Sequence, residues 1–290
     1  MSAAPDLVPR RVRAAFAHAA VQQAATRIGV RVLHIKGVAV DDDLRSRGGA
    51  TDADILVDPE GVGLLLAELT TLGWDRYSDF LTGSPFGHAA TMHHPHWGYA
   101  DLHRFFPGMH QDPQATFEEL WAGRQQGEIA GFPCPVPSAA GQVLVLVLNN
   151  LRNRRAVLTD PRVAQVQAEP KAWAQVEALV PRVHADVAFG AAMGRLEEHR
   201  GTREYWMWKV TTEGGSRSAE WLARVRAEPT LRGRAGLLLR VPLVNTEVLE
   251  HQLGRPPTRA EVGREFVHRG RQGARELRSA LARRWRRRAP

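Results

Sequence analysis

The stretch Thr51-Asp52-Ala53-Asp54-Ile55-Leu56-Val57-Asp58-Pro59 decides the fold. Asp52 to Val57 reads as a strand. Asp58-Pro59 then pairs an acidic N-cap with a proline at the first helical position. Val62, Leu65, Leu66 and Leu69 line one face of the helix that follows, and Gly73-Trp74 ends it. Alternate residues of a strand share a face at about 7 Å, so Asp52 and Asp54 point the same way. Two carboxylates so placed either hold a divalent ion or sit solvated on a surface strand, and the pattern alone leaves both open.

Upstream, Val12, Ala15, Phe16, Ala19, Ala20 and Ala24 recur at helical spacing within residues 10–28, which Gly29 stops. Val30 to Ile35 reads as a short strand. Lys36-Gly37 follows, where a helical turn through Val40 is expected. Backbone N–H groups at a helix start and a lysine both suit phosphate. Lysine is rare here: Lys36, Lys171 and Lys209 are the only three, and arginine supplies the other 36 of the 39 basic residues. The polar loop Asp41 to Ala50 carries Arg45, Arg47, Gly48 and Gly49. Downstream, His88 to His93 and Trp97 to His103 read as a strand pair turning at Pro95-His96. Asp101 and His103 share a face. If their strand lies beside Asp52–Val57, Asp101 completes a three-carboxylate cluster whose mutual repulsion calls for Mg²⁺ or Mn²⁺. Asp101 then ligates the metal, serves as general base, or both.

Taken in order, Lys36-Gly37, the polar loop, Thr51 to Val57, the capped helix to Gly73-Trp74, and Asp101-Leu102-His103 resemble one family. It is the bacterial nucleotidyltransferases with a Lys-Gly motif, in the polymerase-beta-like superfamily. Their metal strand reads Ser-Asp-Ile-Asp-Leu-Leu-Val and a later strand Asp-Leu-His-Trp. The resemblance covers residues 10–105. It implies that Asp52, Asp54 and Asp101 bind metal and act catalytically, with His103 supporting the acceptor or the metal. It implies that Lys36, Gly37, Arg47 and Thr51 bind the nucleotide. Thr51 and Ala53 replace the family's serine and isoleucine. Gly48 stands at its arginine position with Arg47 one residue early, and Arg104 stands at its aromatic position.

The rest of the chain bounds the reading. The fold class expected is α+β: a small mixed nucleotidyltransferase sheet flanked by helices over 1–137, a helical domain over 138–257, and an arginine-rich helical tail over 258–290. The stiff Phe132-Pro133-Cys134-Pro135-Val136-Pro137 marks the first boundary, following a possible strand from Glu128. A short helix is expected over Phe117–Gly123. Later helices are expected from Ser138 through Leu151, from Pro170, and over 182–199, 217–227, 231–239 and 245–253.

At 290 residues with 43% hydrophobic and 24% charged, disorder and low-complexity classes are excluded. A single cysteine, Cys134, excludes an internal disulfide and any multi-cysteine zinc site. No stretch reaches the roughly 18 apolar residues of a membrane span, and Met1 to Asp6 lacks signal-peptide character, so the cytoplasm is expected. The formal excess of +8 lies wholly in residues 262–290, which carry ten arginines against two glutamates. His94-Pro95-His96 lacks a zinc motif and reads as a solvated hairpin tip. Tyr205, Trp206 and Trp208 read as core packing or a partner surface, with base stacking as the alternative. The expected function is metal-dependent transfer of a nucleotidyl group from an NTP, ATP foremost, to a hydroxyl on a small molecule, peptide, protein or tRNA. The alternative is a degenerate core whose tail binds nucleic acid.

Overall fold

The computed structural model describes residues 8–45, 50–80, 87–109, 112–214, 217–228, 230–240, 257–258, 260–268, 270–271 and 275. The chain is α+β, a mixed five-stranded sheet with helices followed by a mostly helical region. Helix α1 (Arg10–Arg27) leads into β1 (Val32–His34), then β2 (Asp52–Val57), α2 (Val62–Thr71), β3 (Asp75–Ser78), β4 (Ala89–His94) and β5 (Gly98–His103). The strand order is β1-β2-β5-β4-β3. β2 runs parallel to β5, and the other pairs are antiparallel.

Side chains alternate between the two faces of the sheet, and β1 and β2 are buried on both. Val32, Ala53, Ile55, Val57, Met92, Ala100 and Leu102 form one core with α1 and α2. Asp58 sets up α2: its side chain accepts from Glu60 N–H at 3.4 Å and pairs with Arg31 at 2.6 Å. Helix α1 has the expected extent but is rotated. Ala14, Ala17, Val21, Ala24 and Ala25 face the sheet, while Phe16 is 44% exposed. The small alanine stripe lets the helix lie close. It also buries a polar line: Gln22 donates to Thr26 Oγ1 at 3.0 Å, Gln22 Oε1 meets His34 Nε2 at 3.0 Å, and His34 Nδ1 meets His18 Nδ1 at 2.7 Å.

The other face continues into the helical region. After α3 (Pro113–Ala122) and the hairpin β6 (Gln125–Ile129) and β7 (Phe132–Val136) come α4 (Ala139–Arg152), α5 (Pro161–Gln167), α6 (Pro170–Arg182), α7 (Asp186–Ala192), α8 (Tyr205–Glu213), α9 (Arg217–Ala227) and α10 (Leu231–Arg240). Leu33, Ile35, Leu56 and Phe106 share one core with Leu144, Leu148, Val176 and Trp208. Ser138 caps α4 by accepting from Gly141 N–H at 3.2 Å. Full burial of Leu144 and Leu148 contributes about 1.5–3 kcal/mol each.

Several expectations shift. The proline-rich stretch expected as a stiff boundary is itself β7, paired with β6 in a two-stranded ribbon where proline's missing N–H is tolerated. The helix expected over 182–199 is broken: α7 ends at Ala192, Gly194 has φ +72°, and Leu196–His199 forms a separate short turn. The short helix expected from Phe117 begins at Pro113, behind the Asp112 cap. Tyr205 and Trp208 are buried in the core, and Trp206 is half-exposed. The expected helix 245–253 and most of the arginine tail lie outside the described residues. Among the described residues, no helix is long and apolar enough to cross a membrane.

Candidate functional site

The polar residues of β2 and β5 all fall on the face turned toward the helical region. Parallel pairing sets Asp52 opposite Tyr99 and Asp54 opposite Asp101. Thr91 of β4 lies across from Asp101 and donates its hydroxyl to Asp101 Oδ1 at 2.6 Å. Asp54, Asp101 and His103 offer ligand atoms that all lie within 4.8 Å of one another. Asp52 lies outside that group, half-buried one step along β2, and accepts from Thr51 Oγ1 at 3.1 Å.

Asp54 is the centre of the cluster. The Lys36 ammonium pairs with its Oδ1, and His103 Nε2 meets the same oxygen at 2.9 Å. Burial alone would raise the Asp54 carboxyl, yet Lys36 and His103 outweigh it and hold it well below the usual carboxylate range. Among the described residues, no such cation contacts Asp101. Burial and the neighbouring Asp54 charge push it up to about 6. Burial and Asp54 also raise Asp52, with Lys36 opposing. His103 is lowered to about 4, chiefly by burial, so it is neutral near pH 7. Because Nε2 faces a carboxylate, the proton belongs on Nε2, and the buried Nδ1 has no hydrogen-bond partner among the described residues.

Lys36 is positioned by the chain on either side. Ile35 N–H donates to Asp54 C=O at 3.1 Å and extends the β1–β2 pairing to the site. Gly37 has φ +69°, and a Cβ there would meet Ala50 Cβ at 2.9 Å. Only glycine lets the returning loop close on the lysine. The helix start expected here is a single short turn, Gly37–Ala39. Beside it opens a cleft of about 270 Å³ between this loop and α4. Lys36, Arg45, Asn149, Arg155 and Arg162 line it, and none of its lining residues among the described ones is acidic. Arg47 lies outside the described residues.

Three residues near the cluster escaped the sequence reading. Thr91 was legible only once the β4–β5 register was known. His88 stood among six clustered histidines, and its ring packs 5.1 Å from that of His103. Arg152, at the end of α4, donates to His88 Nε2 and, at 3.2 Å, to Asn149 Oδ1. Among the described residues, the histidines of the hairpin tip form no metal-ligating group. Cys134 is buried, and burial pushes its thiol up to about 12, which suits a structural role.

No family model matches the sequence, and no curated protein matches it. Among solved structures, the chain is similar to the lincomycin-bound lincosamide antibiotic adenylyltransferase LnuA. The identity is 18%, over 43% of this chain and 80% of that one, with a TM-score of 0.32. It is also similar to the solution structure of the antibiotic-resistance factor ANT(2'')-Ia. There the identity is 16%, over 62% of this chain and 93% of that one, with a TM-score of 0.38. Both likenesses are distant in sequence and in superposition.

Proposed function

We propose that the chain is a metal-dependent nucleotidyltransferase, moving a nucleotidyl group from an NTP, ATP foremost, to an acceptor hydroxyl. The observation that carries this reading is the convergence of Asp54 and Asp101 on one sheet face, with Asp52 beside them and Lys36 in contact. Carboxylate oxygens are the hard ligands that Mg²⁺ and Mn²⁺ prefer, and the Lys36 ammonium at Asp54 Oδ1 supports a cation at that position. His103 fits less well as a ligand. A metal-bound imidazole normally donates its other N–H, and His103 Nδ1 has nothing to receive it. Asp54 and Asp101, with Asp52 alongside, would hold the ion, and His103 would orient Asp54. Bound there, the ion supplies charge neutralisation for triphosphate oxygens and the leaving pyrophosphate.

The chain's own groups do the rest. Lys36 is a point charge for a phosphoryl oxygen, held at the right height by Gly37. Asp101, ionised near pH 7, is the carboxylate placed to take the acceptor's proton. Thr91 pins one Asp101 oxygen and leaves the other for the acceptor. The acceptor oxygen attacks the α-phosphorus in line, the bond to pyrophosphate breaks, and the acceptor proton passes to Asp101. Residues from 138 onward would cover nucleotide and acceptor from the opposite side.

The test is incubation of wild type and Asp54→Ala with α- or γ-labelled NTPs and a cell extract. A labelled acceptor from the α-label, with wild type only, is expected. Transfer of γ-label alone would replace the reading with phosphoryl transfer, and no transfer from any NTP would refute it.

A further inference from the structure

We infer that Arg152, from the end of α4, is an anion-binding residue that receives phosphoryl oxygens of the bound nucleotide opposite Asp54 and Asp101. The inference rests on the nucleotidyltransferase reading and names the helical region's own contribution to that site.

Two partly buried arginines elsewhere in the fold are matched to carboxylates. Arg31 pairs with Asp58 and Glu118, and Arg162 pairs with Asp160. Arg152 forms no ion pair among the described residues, although it is half-buried. Its two partners, His88 Nε2 and Asn149 Oδ1, are neutral acceptors. A guanidinium has five N–H groups in a planar fork, so most of its donor capacity remains for an incoming group. A cation withdrawn from water without a counter-charge is costly unless an anion joins it.

The surroundings indicate where that anion would sit. Arg152 holds His88, whose ring packs on His103, which in turn contacts Asp54. Burial lowers the Arg152 guanidinium, while the charges of Asp54 and Asp101 act to raise it, so it lies within their field without touching either. His88 accepts at Nε2 and carries its proton on Nδ1. It therefore steadies the guanidinium without neutralising it. The cleft beside α4 is lined by Asn149, which accepts from Arg152, and by Lys36, which pairs with Asp54, and a phosphoryl group there is the anion the guanidinium would receive through its planar fork. Such bidentate geometry suits phosphate.

The experiment is titration calorimetry of full-length wild type, Arg152→Met and Arg152→Lys with ATP, inorganic tripolyphosphate and adenosine, all at saturating Mg²⁺. Arg152→Met is expected to weaken ATP and tripolyphosphate about ten- to hundredfold while leaving adenosine unchanged. Arg152→Lys, which keeps charge but loses the fork, should fall between. If Arg152→Met fails to fold, Arg152→Lys decides alone, with tripolyphosphate weakened and adenosine unchanged. Wild-type affinity for tripolyphosphate in the variants, or equal weakening of all three ligands, overturns the inference and leaves the nucleotidyltransferase reading standing. Failure of wild type to bind either ATP or tripolyphosphate overturns both.

Discussion

The polar line buried under α1 makes a quantitative prediction about acid. Gln22 donates its amide to Thr26, so its Oε1 faces His34 and must accept from His34 Nε2–H. His34 Nδ1 is then the acceptor in the 2.7 Å contact, and His18 Nδ1 the donor. That assignment leaves His18 Nε2 unprotonated, buried and without a hydrogen-bond partner. Both rings must stay neutral for the line to persist. Burial lowers His18 from 6.5 to about 4, against the opposing pull of Asp54, and holds His34 well below its ordinary value.

The sign follows from proton counting. Between 6.5 and about 4 the unfolded chain binds a proton at His18 and the folded chain does not, so stability falls as pH falls through that window. At about 1.4 kcal/mol for each pH unit between the two values, His18 removes ~3 kcal/mol by pH 4. Asp101 works the other way. Its carboxyl is raised from 3.8 to about 6, so the folded state holds that proton better and gains stability over much of the same range. The whole-protein curve therefore mixes signs, and the informative quantity is a difference between variants. His18→Gln keeps an N–H for His34 Nδ1 and removes the titrating ring. Urea unfolding at pH 7.5 and pH 4 should show wild type losing about 3 kcal/mol more than His18→Gln. Equal losses would refute both the neutral-pair assignment and its energetic weight.

Three further outcomes are expected. Gly37→Ala forces a left-handed alanine against Ala50 and should cost about 1–3 kcal/mol, read as a lowered Tm. An unchanged Tm would mean that the loop relaxes freely. Mn²⁺ affinity, measured by electron paramagnetic resonance, should fall about tenfold per pH unit below pH 6, because the ion must displace the Asp101 proton. It should be abolished in Asp54→Ala at any pH. Leu148→Ala, at a side chain with no exposure in the core joining sheet and helices, should cost about 2–5 kcal/mol by urea unfolding.

The parts of the fold readable from sequence were those with local punctuation. Asp58-Pro59 and Gly73 bracket α2, and Gly29 ends α1, because caps and glycines act within a turn of where they stand. The buried face of α1 was not readable. Its alanines lie on several sides, and hydrophobic spacing favoured Phe16, which tertiary packing leaves exposed. β3 is polar, Asp75-Arg76-Tyr77-Ser78, and was not expected as a strand. The shared face of Asp52 and Asp54 follows from strand periodicity, and Asp101 joins it once β5 is placed next to β2. Arg152 carried no mark among 36 arginines, since its lack of a carboxylate partner among the described residues is invisible there. That is a property of three-dimensional neighbours.

The parallel pairing of β2 with β5 has a kinetic consequence. His103 meets Asp54 across a separation of 49 residues, and α2, β3 and β4 must all be threaded between them. Loop-closure entropy of that kind is met before its contacts repay it. The like charges of Asp54 and Asp101 add repulsion at the moment of docking. The site is therefore complete only when β5 has found its place beside β2. A nascent chain that has emerged only as far as α2 carries Asp52 and Asp54 but nothing to complete them. Any ligand of this cluster can then select only chains that have already committed to the finished topology.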